Sequence, residues 1–159
     1  MEKLCKLGKD NKGCDVFSVI LKSEVLQAQV LSFGATLKDL RFNGFENSLV
    51  LGYQSLEDYF CDKNYAGVTV GRYANRISNG QYYLNSKKFE LDKNEVFATL
   101  HGGSDSCHNS SWKIEDYGYN FVELTYQFND GDMGFGGHLS VKLRYELAGS
   151  KLILIIEAF

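Results

Sequence analysis

The chain has 159 residues, a hydrophobic fraction of 44%, a charged fraction of 23% and a formal net charge of −3. That is enough chain for one domain with a sizeable core, and the acidic balance leaves no basic footprint for nucleic acid. No apolar stretch approaches the ~20 residues that span a bilayer, so a membrane is not an expected partner.

Residues 1–15 are polar and charged, without the apolar core of an export signal, and the expected location is the cytoplasm. Cys5, Cys14, Cys61 and Cys107 match no metal or redox spacing, and read as reduced, mostly buried thiols. No metal or cofactor is expected. From residue 15 the dominant hydrophobic period is two, which predicts strands. Candidates are residues 15–21, 25–30, 36–42, 48–52, 81–84 and 88–91. One helical turn is predicted near residues 55–59, with Ser55 as its cap and Asp58 at the third helical position. Val122, Leu124, Tyr126 and Phe128 then alternate with polar residues, as do Leu139, Val141, Leu143, Tyr145 and Leu147. Turn chemistry at Asn43-Gly44, Asn79-Gly80, Asn129-Asp130-Gly131 and Gly149 separates the strands. With no proline in the chain, the turns rest on 16 glycines and on Asn and Asp. Many short strands punctuated this way predict an all-β antiparallel sandwich, residues 1–159 forming part of one domain. The last nine residues, KLILIIEAF, carry five consecutive apolar residues that want cover on both faces. A sandwich incomplete at its carboxyl end is therefore expected.

Three histidines are available for chemistry. His101 stands in Leu100-His101-Gly102-Gly103, where the glycines permit close backbone approach. His108 lies in the polar run SDSCHNSS and reads as a solvated loop residue; His138 begins a strand after Gly136-Gly137. The stretch Gly71-Arg72-Tyr73-Ala74-Asn75-Arg76-Ile77 gathers two guanidinium forks and an amide, donors and acceptors that suit vicinal sugar hydroxyls. An arginine paired with a carboxylate to hold a loop fits the same residue types equally well. Strand-like alternation would put Arg72 and Arg76 on one face and Asn75 on the other, unless the chain bends. The glycine spacing lacks the Lys-Ser/Thr of a phosphate loop.

Several segments together resemble the aldose 1-epimerase (galactose mutarotase) family, in the same order and at similar spacing. They are Ser32-Phe33-Gly34-Ala35-Thr36, Leu51-Gly52-Tyr53 followed by Tyr59, GRYANRI at 71–77, LHGG at 100–103, Trp112, and Asp130-Gly131-Asp132-Met133-Gly134-Phe135. The family's usual proline in that last turn is Gly136 here. The resemblance implies a galactose mutarotase-like supersandwich that interconverts α and β anomers of hexoses such as galactose and glucose, without metal or cofactor. By position, Asn75 and Arg76 would hold ring hydroxyls. His101 would hold and polarise a hydroxyl as a supporting catalytic residue, and Arg72 would brace the loop. A small aldose is the implied partner, with a monomer or homodimer for the full-length form. The family's principal acid histidine sits in a segment resembling TNHSYFNL, and its glutamate base lies further on; these 159 positions contain neither. Glu157 falls on the last strand and reads as a solvated carboxylate. A non-catalytic carbohydrate-binding module and a hexose-6-phosphate epimerase relative stand as alternatives.

Overall fold

The computed structural model describes residues 4–159, so the first three residues of the polar amino-terminal stretch lie outside it. Two four-stranded antiparallel sheets form the frame, as the alternating pattern predicts. The first contains β1 (Leu4–Lys9), β2 (Asp15–Lys22), β3 (Leu26–Leu31) and β4 (Thr36–Phe42) in that order. The second contains β9 (Lys113–Tyr117), β10 (Phe121–Phe128), β11 (Leu139–Ala148) and β12 (Lys151–Ala158), ordered β12-β11-β10-β9.

The core lies where the inward rows of the two sheets meet. Val19 faces Val30 and Leu21 faces Ala28 across β2–β3; Val122 faces Tyr145 and Leu124 faces Leu143 across β10–β11. All eight belong to one buried cluster. Each fully buried aliphatic side chain removed from water there contributes about 1.5–3 kcal/mol, which selects this register over a one-residue slip. Tyr145 ties the layers by donating its hydroxyl proton to the Ala35 carbonyl at 3.0 Å.

The outward rows behave differently. On β10 and β11, Glu123, Arg144, Glu146 and Lys142 form a ladder of ion pairs at 2.8–2.9 Å. On β12, Ile153 and Ile155 stand exposed on that same outer side, opposite Glu146 and Arg144. Leu154 and Ile156 continue the inner row but are 48% and 54% exposed, because the first sheet does not extend over them. Glu157 is exposed, as read from the sequence.

Between the sheets in sequence run two small ribbons and a short helix. β5 (Arg76–Ser78) pairs with β8 (Ala98–Leu100), and β6 (Gln81–Leu84) pairs with β7 (Lys87–Glu90). Helix α1 (Leu56–Phe60) begins where predicted, with the Ser55 hydroxyl accepting from the Asp58 amide at 3.2 Å.

Two expectations are corrected, and one strand lies beyond them. Residues 48–52 bend instead of forming a strand: Leu51 is 89% exposed, and the segment touches β4 through the Leu49 amide and Ser48 without a ladder. β1 was not legible, since its side chains are mostly exposed and it joins as an edge with a bulge between Lys6 and Gly8. The thiols are not mostly buried. Cys107 alone is buried, while Cys5, Cys14 and Cys61 are exposed, and all four are free.

Candidate sugar site

The β5–β8 ribbon brings the two glycine-flanked motifs together. Arg76 faces Leu100 in its register, so Asn75 and His101 meet just beyond its end. The contact is reciprocal. The His101 amide donates to the Asn75 carbonyl at 3.1 Å, and the Asn75 amide donates to His101 Nδ1 at 3.0 Å. Because Nδ1 accepts, the neutral imidazole carries its proton on Nε2, on the opposite side of the ring. Burial and the nearby Arg76 charge hold the His101 pKa below the ordinary histidine value, with Glu95 opposing them. The ring is therefore neutral at pH 7 and offers one N–H donor.

Both residues adopt left-handed backbone, with φ of 70° at Asn75 and 52° at His101. This region is uncommon outside glycine, though asparagine and histidine are among the residues that enter it most readily, and here the surroundings hold both in it. Gly102 supplies part of the reason. A Cβ there would collide with the Gly71 carbonyl and crowd Ser106 Oγ, so the LHGG turn can close onto the start of GRYANRI only through glycine. Ser106 Oγ donates to that same Gly71 carbonyl.

The two arginines part company. The chain bends over residues 72–75, which breaks the strand alternation that would have placed them on one face. Arg72 donates to the carbonyls of Asn129, Gly136 and Gly137 at 2.7–3.1 Å, with its guanidinium 5.2 Å from the Phe128 ring centre. It braces the 129–137 loop. Arg76 is held by Glu95, Nε to Oε2 at 2.7 Å and Nη2 to Oε1 at 2.8 Å, while Nη1 donates to Asn75 Oδ1 at 3.2 Å. This planar double contact fixes the guanidinium next to Asn75 and depresses the Glu95 pKa, chiefly through the Arg76 hydrogen bonds. Of the two sequence readings of Arg76, the structure shows the carboxylate pairing, with the guanidinium edge turned to the asparagine.

Three further residues join this cluster without having been singled out in the sequence. Glu95 is one. Asn94 is the second: its Oδ1 accepts from the Leu100 amide at 2.7 Å and its Nδ2 donates to the Leu100 carbonyl at 2.9 Å. Tyr65 is the third, its ring edge-on to His101 at 4.6 Å and to His108 at 5.0 Å. The one available signal was position, since Asn94 and Glu95 lie in the short stretch leading to LHGG. His108 is corrected from solvated loop to half-buried turn residue. It sits in a 3-10 turn (Cys107–Asn109), Nδ1 is buried without a partner, and burial pushes its pKa down to about 4. A cleft of about 600 Å3 has Asp62, Tyr65, Asn94, Glu95, Leu100 and His108 in its walls, while Asn75, Arg76 and His101 do not line it. His138 is exposed just before β11. Among the described residues, no three His, Cys, Asp or Glu side chains converge as metal ligands, and no helix is long and apolar enough to cross a membrane.

The profile of the family described as aldose 1-epimerase matches residues 18–159. The chain belongs to the aldose 1-epimerase family. It is 34% identical over 132 residues to an aldose 1-epimerase from Haemophilus influenzae, and 34% identical over 141 residues to galactose mutarotase from Bos taurus. Those alignments cover 82% and 87% of this chain but 38% and 41% of the relatives, so the chain spans about two fifths of their length. Its structure is similar to that of galactose 1-epimerase from Lactobacillus acidophilus, with a TM-score of 0.85 at 28% identity. That match covers 98% of this chain and 47% of the other. An aldose epimerase homologue from Caenorhabditis elegans gives a TM-score of 0.81 at 30% identity, covering 89% and 46%. The galactose mutarotase-like sandwich expected from the motifs is therefore the fold of this aldose 1-epimerase family chain.

Proposed function

We propose that residues 1–159 form the amino-terminal, sugar-holding part of an aldose 1-epimerase sandwich domain, one that takes free hexoses such as galactose or glucose. In this reading Asn75 and Arg76 hold ring hydroxyls, and His101 donates from Nε2 to a hydroxyl near the reacting end. The observation that carries it is the lock of GRYANRI onto LHGG, which sets an amide, a guanidinium edge and a neutral imidazole side by side. Neutral sugars are recognised by this combination of planar forks and hydrogen-bond donors with fixed orientation.

Mutarotation needs an acid at the ring oxygen and a base at the anomeric hydroxyl, both positioned on one sugar. The two carboxylates that line the cleft are already engaged. Glu95 gives both oxygens to Arg76, and Asp62 accepts from the Tyr53 hydroxyl and the Asn64 and Ala66 amides. We therefore read this chain as supplying sugar contacts and a supporting imidazole, and not the proton-transfer pair. Arg72 donates its terminal nitrogens to backbone carbonyls and Arg76 is paired, which argues against a phosphorylated hexose as ligand.

Two measurements test this. Titration of isotopically labelled chain with galactose should perturb the amides of Asn75, Arg76 and His101, and His101→Ala should abolish the perturbation. Polarimetry on freshly dissolved α-galactose should show no acceleration above buffer. Acceleration that His101→Ala removes would overturn the view that the proton-transfer pair lies elsewhere; absence of any site perturbation would overturn sugar binding itself.

A further inference from the structure

We propose that Tyr65 and Asn94 are positioning residues of the sugar site, acting together to hold His101 in its left-handed backbone with Nδ1 turned to the Asn75 amide. The inference rests on the sugar-binding reading for its purpose, but its geometry stands independently of any ligand.

Asn94 works on the backbone. Its amide side chain bonds both the N–H and the C=O of Leu100, as a neighbouring strand would, and the Gly103 amide adds a second donor to the same carbonyl at 3.1 Å. Leu100 is the last residue of β8, so this grip fixes the peptide from which His101 departs. With the preceding residue clamped and Gly102 packed on Gly71, the φ of 52° at His101 is imposed from both sides.

Tyr65 works on the ring. It is itself at φ 57° and stands between two imidazoles, edge-on to each. The His101 side of the sandwich limits rotation of the imidazole about its Cβ–Cγ bond. The His108 side keeps the tyrosine from retreating, since His108 is anchored in the turn whose Ser106 bonds Gly71. The Tyr65 hydroxyl also accepts from Asn94 Nδ2, at a long 3.4 Å, but the brace itself is the ring. A sugar hydroxyl meeting His101 Nε2 would then find a donor whose direction is already fixed, so less ordering is left to accomplish on binding. Charged neighbours facing His101 are Arg76 and Glu95, both of which Tyr65 also feels.

Histidine-selective nitrogen NMR of the chain reads the brace directly, without sugar. In the wild type the His101 Nδ1 signal should show an acceptor nitrogen and a single Nε2–H tautomer. Tyr65→Phe keeps the ring and should leave that signature unchanged. Tyr65→Leu should mix the tautomers and move the titration of His101 upward as water reaches the ring, and should weaken galactose about fivefold to tenfold. Asn94→Ala, which leaves the ring contacts in place, should also mix the tautomers, and it decides the matter if Tyr65→Leu does not fold. An unchanged His101 signature in a folded Tyr65→Leu, or in Asn94→Ala, overturns the proposal. If the wild type shows the signature but no galactose response, the sugar-binding reading fails while the positioning assignment stands.

Discussion

The Asn75–His101 corner and β12, the edge strand of the β11–β12 hairpin, both lie at the margin of the sandwich core, yet they are organised by opposite rules. At the corner, regular structure is minimal: two three-residue strands and two turns. Order there comes from side chains bonding to backbone (Asn94 to Leu100, His101 to Asn75) and from left-handed residues at 65, 75 and 101. The hairpin is the reverse. Eight consecutive pairs from Val141–Ala158 to Ala148–Lys151 are regular, while Ile153 through Ile156 lie exposed. A ladder of backbone bonds can hold a strand whose side chains are unsatisfied; a binding corner has to determine each side chain singly. The first is stable but sticky, the second specific and strained.

The comparison can be broken most forcefully at Gly102. Gly102→Ala drives a methyl group into the Gly71 carbonyl and should cost about 3 kcal/mol or more in urea unfolding, whereas Gly149→Ala in the hairpin turn, with open space around it, should cost about 1 kcal/mol. Equal losses would mean the corner is not a tight lock.

Acid should separate the two regions next. The pKa of His108 is about 4 in the folded chain against an ordinary 6.5, chiefly through burial, so the unfolded chain binds the extra proton first. Stability from this group is complete above pH 6.5 and falls away as pH drops toward 4, by up to about 3 kcal/mol before solvent screening. His101, lowered in the same direction, adds to the loss. His108→Phe should flatten the slope between pH 6.5 and 4 and remove an unpartnered buried nitrogen. A wild-type unfolding curve independent of pH over that window would contradict the buried, neutral assignment.

Glu95→Gln sharpens the functional side. Glutamine cannot orient Arg76 through two charge-assisted bonds, and galactose affinity should fall about tenfold in the labelled-chain titration while the urea midpoint barely moves. The mildest effect on stability is expected from Leu154→Lys with Ile156→Lys. Both positions are about half exposed, so unfolding should change by about 0.5 kcal/mol or less, but sedimentation should show less self-association than the parent chain. A parent chain that is monodisperse at high concentration would remove the basis for calling this edge sticky.

Most of the frame was legible along the chain. Alternation at Val122–Phe128 and Leu139–Leu147 is so regular that strand and face follow from it, while the β10–β11 pairing comes from the structure. The motifs GRYANRI and LHGG likewise named the region of the site. Neither pattern contains the partner choices. Glu95 for Arg76, Asn94 for Leu100 and Tyr65 for His101 join residues 6 to 36 positions apart through loops, where no hydrophobic period constrains direction. The same holds for His108. Its polar neighbours read as solvent-facing, and only the packing of Tyr65 and the turn at Ser106 buries its Nδ1.

By itself, then, the sequence determined the sandwich and its inward rows, because burial of apolar surface writes a period into the chain, and its ordered motifs carried the resemblance to the family. Tertiary structure alone decided which guanidinium braces a loop and which faces the asparagine, and it alone fixed the tautomer of His101. Those outcomes depend on hydrogen-bond geometry over a few ångströms between segments distant in sequence, and such geometry exists only once the two glycine-rich turns have closed on each other.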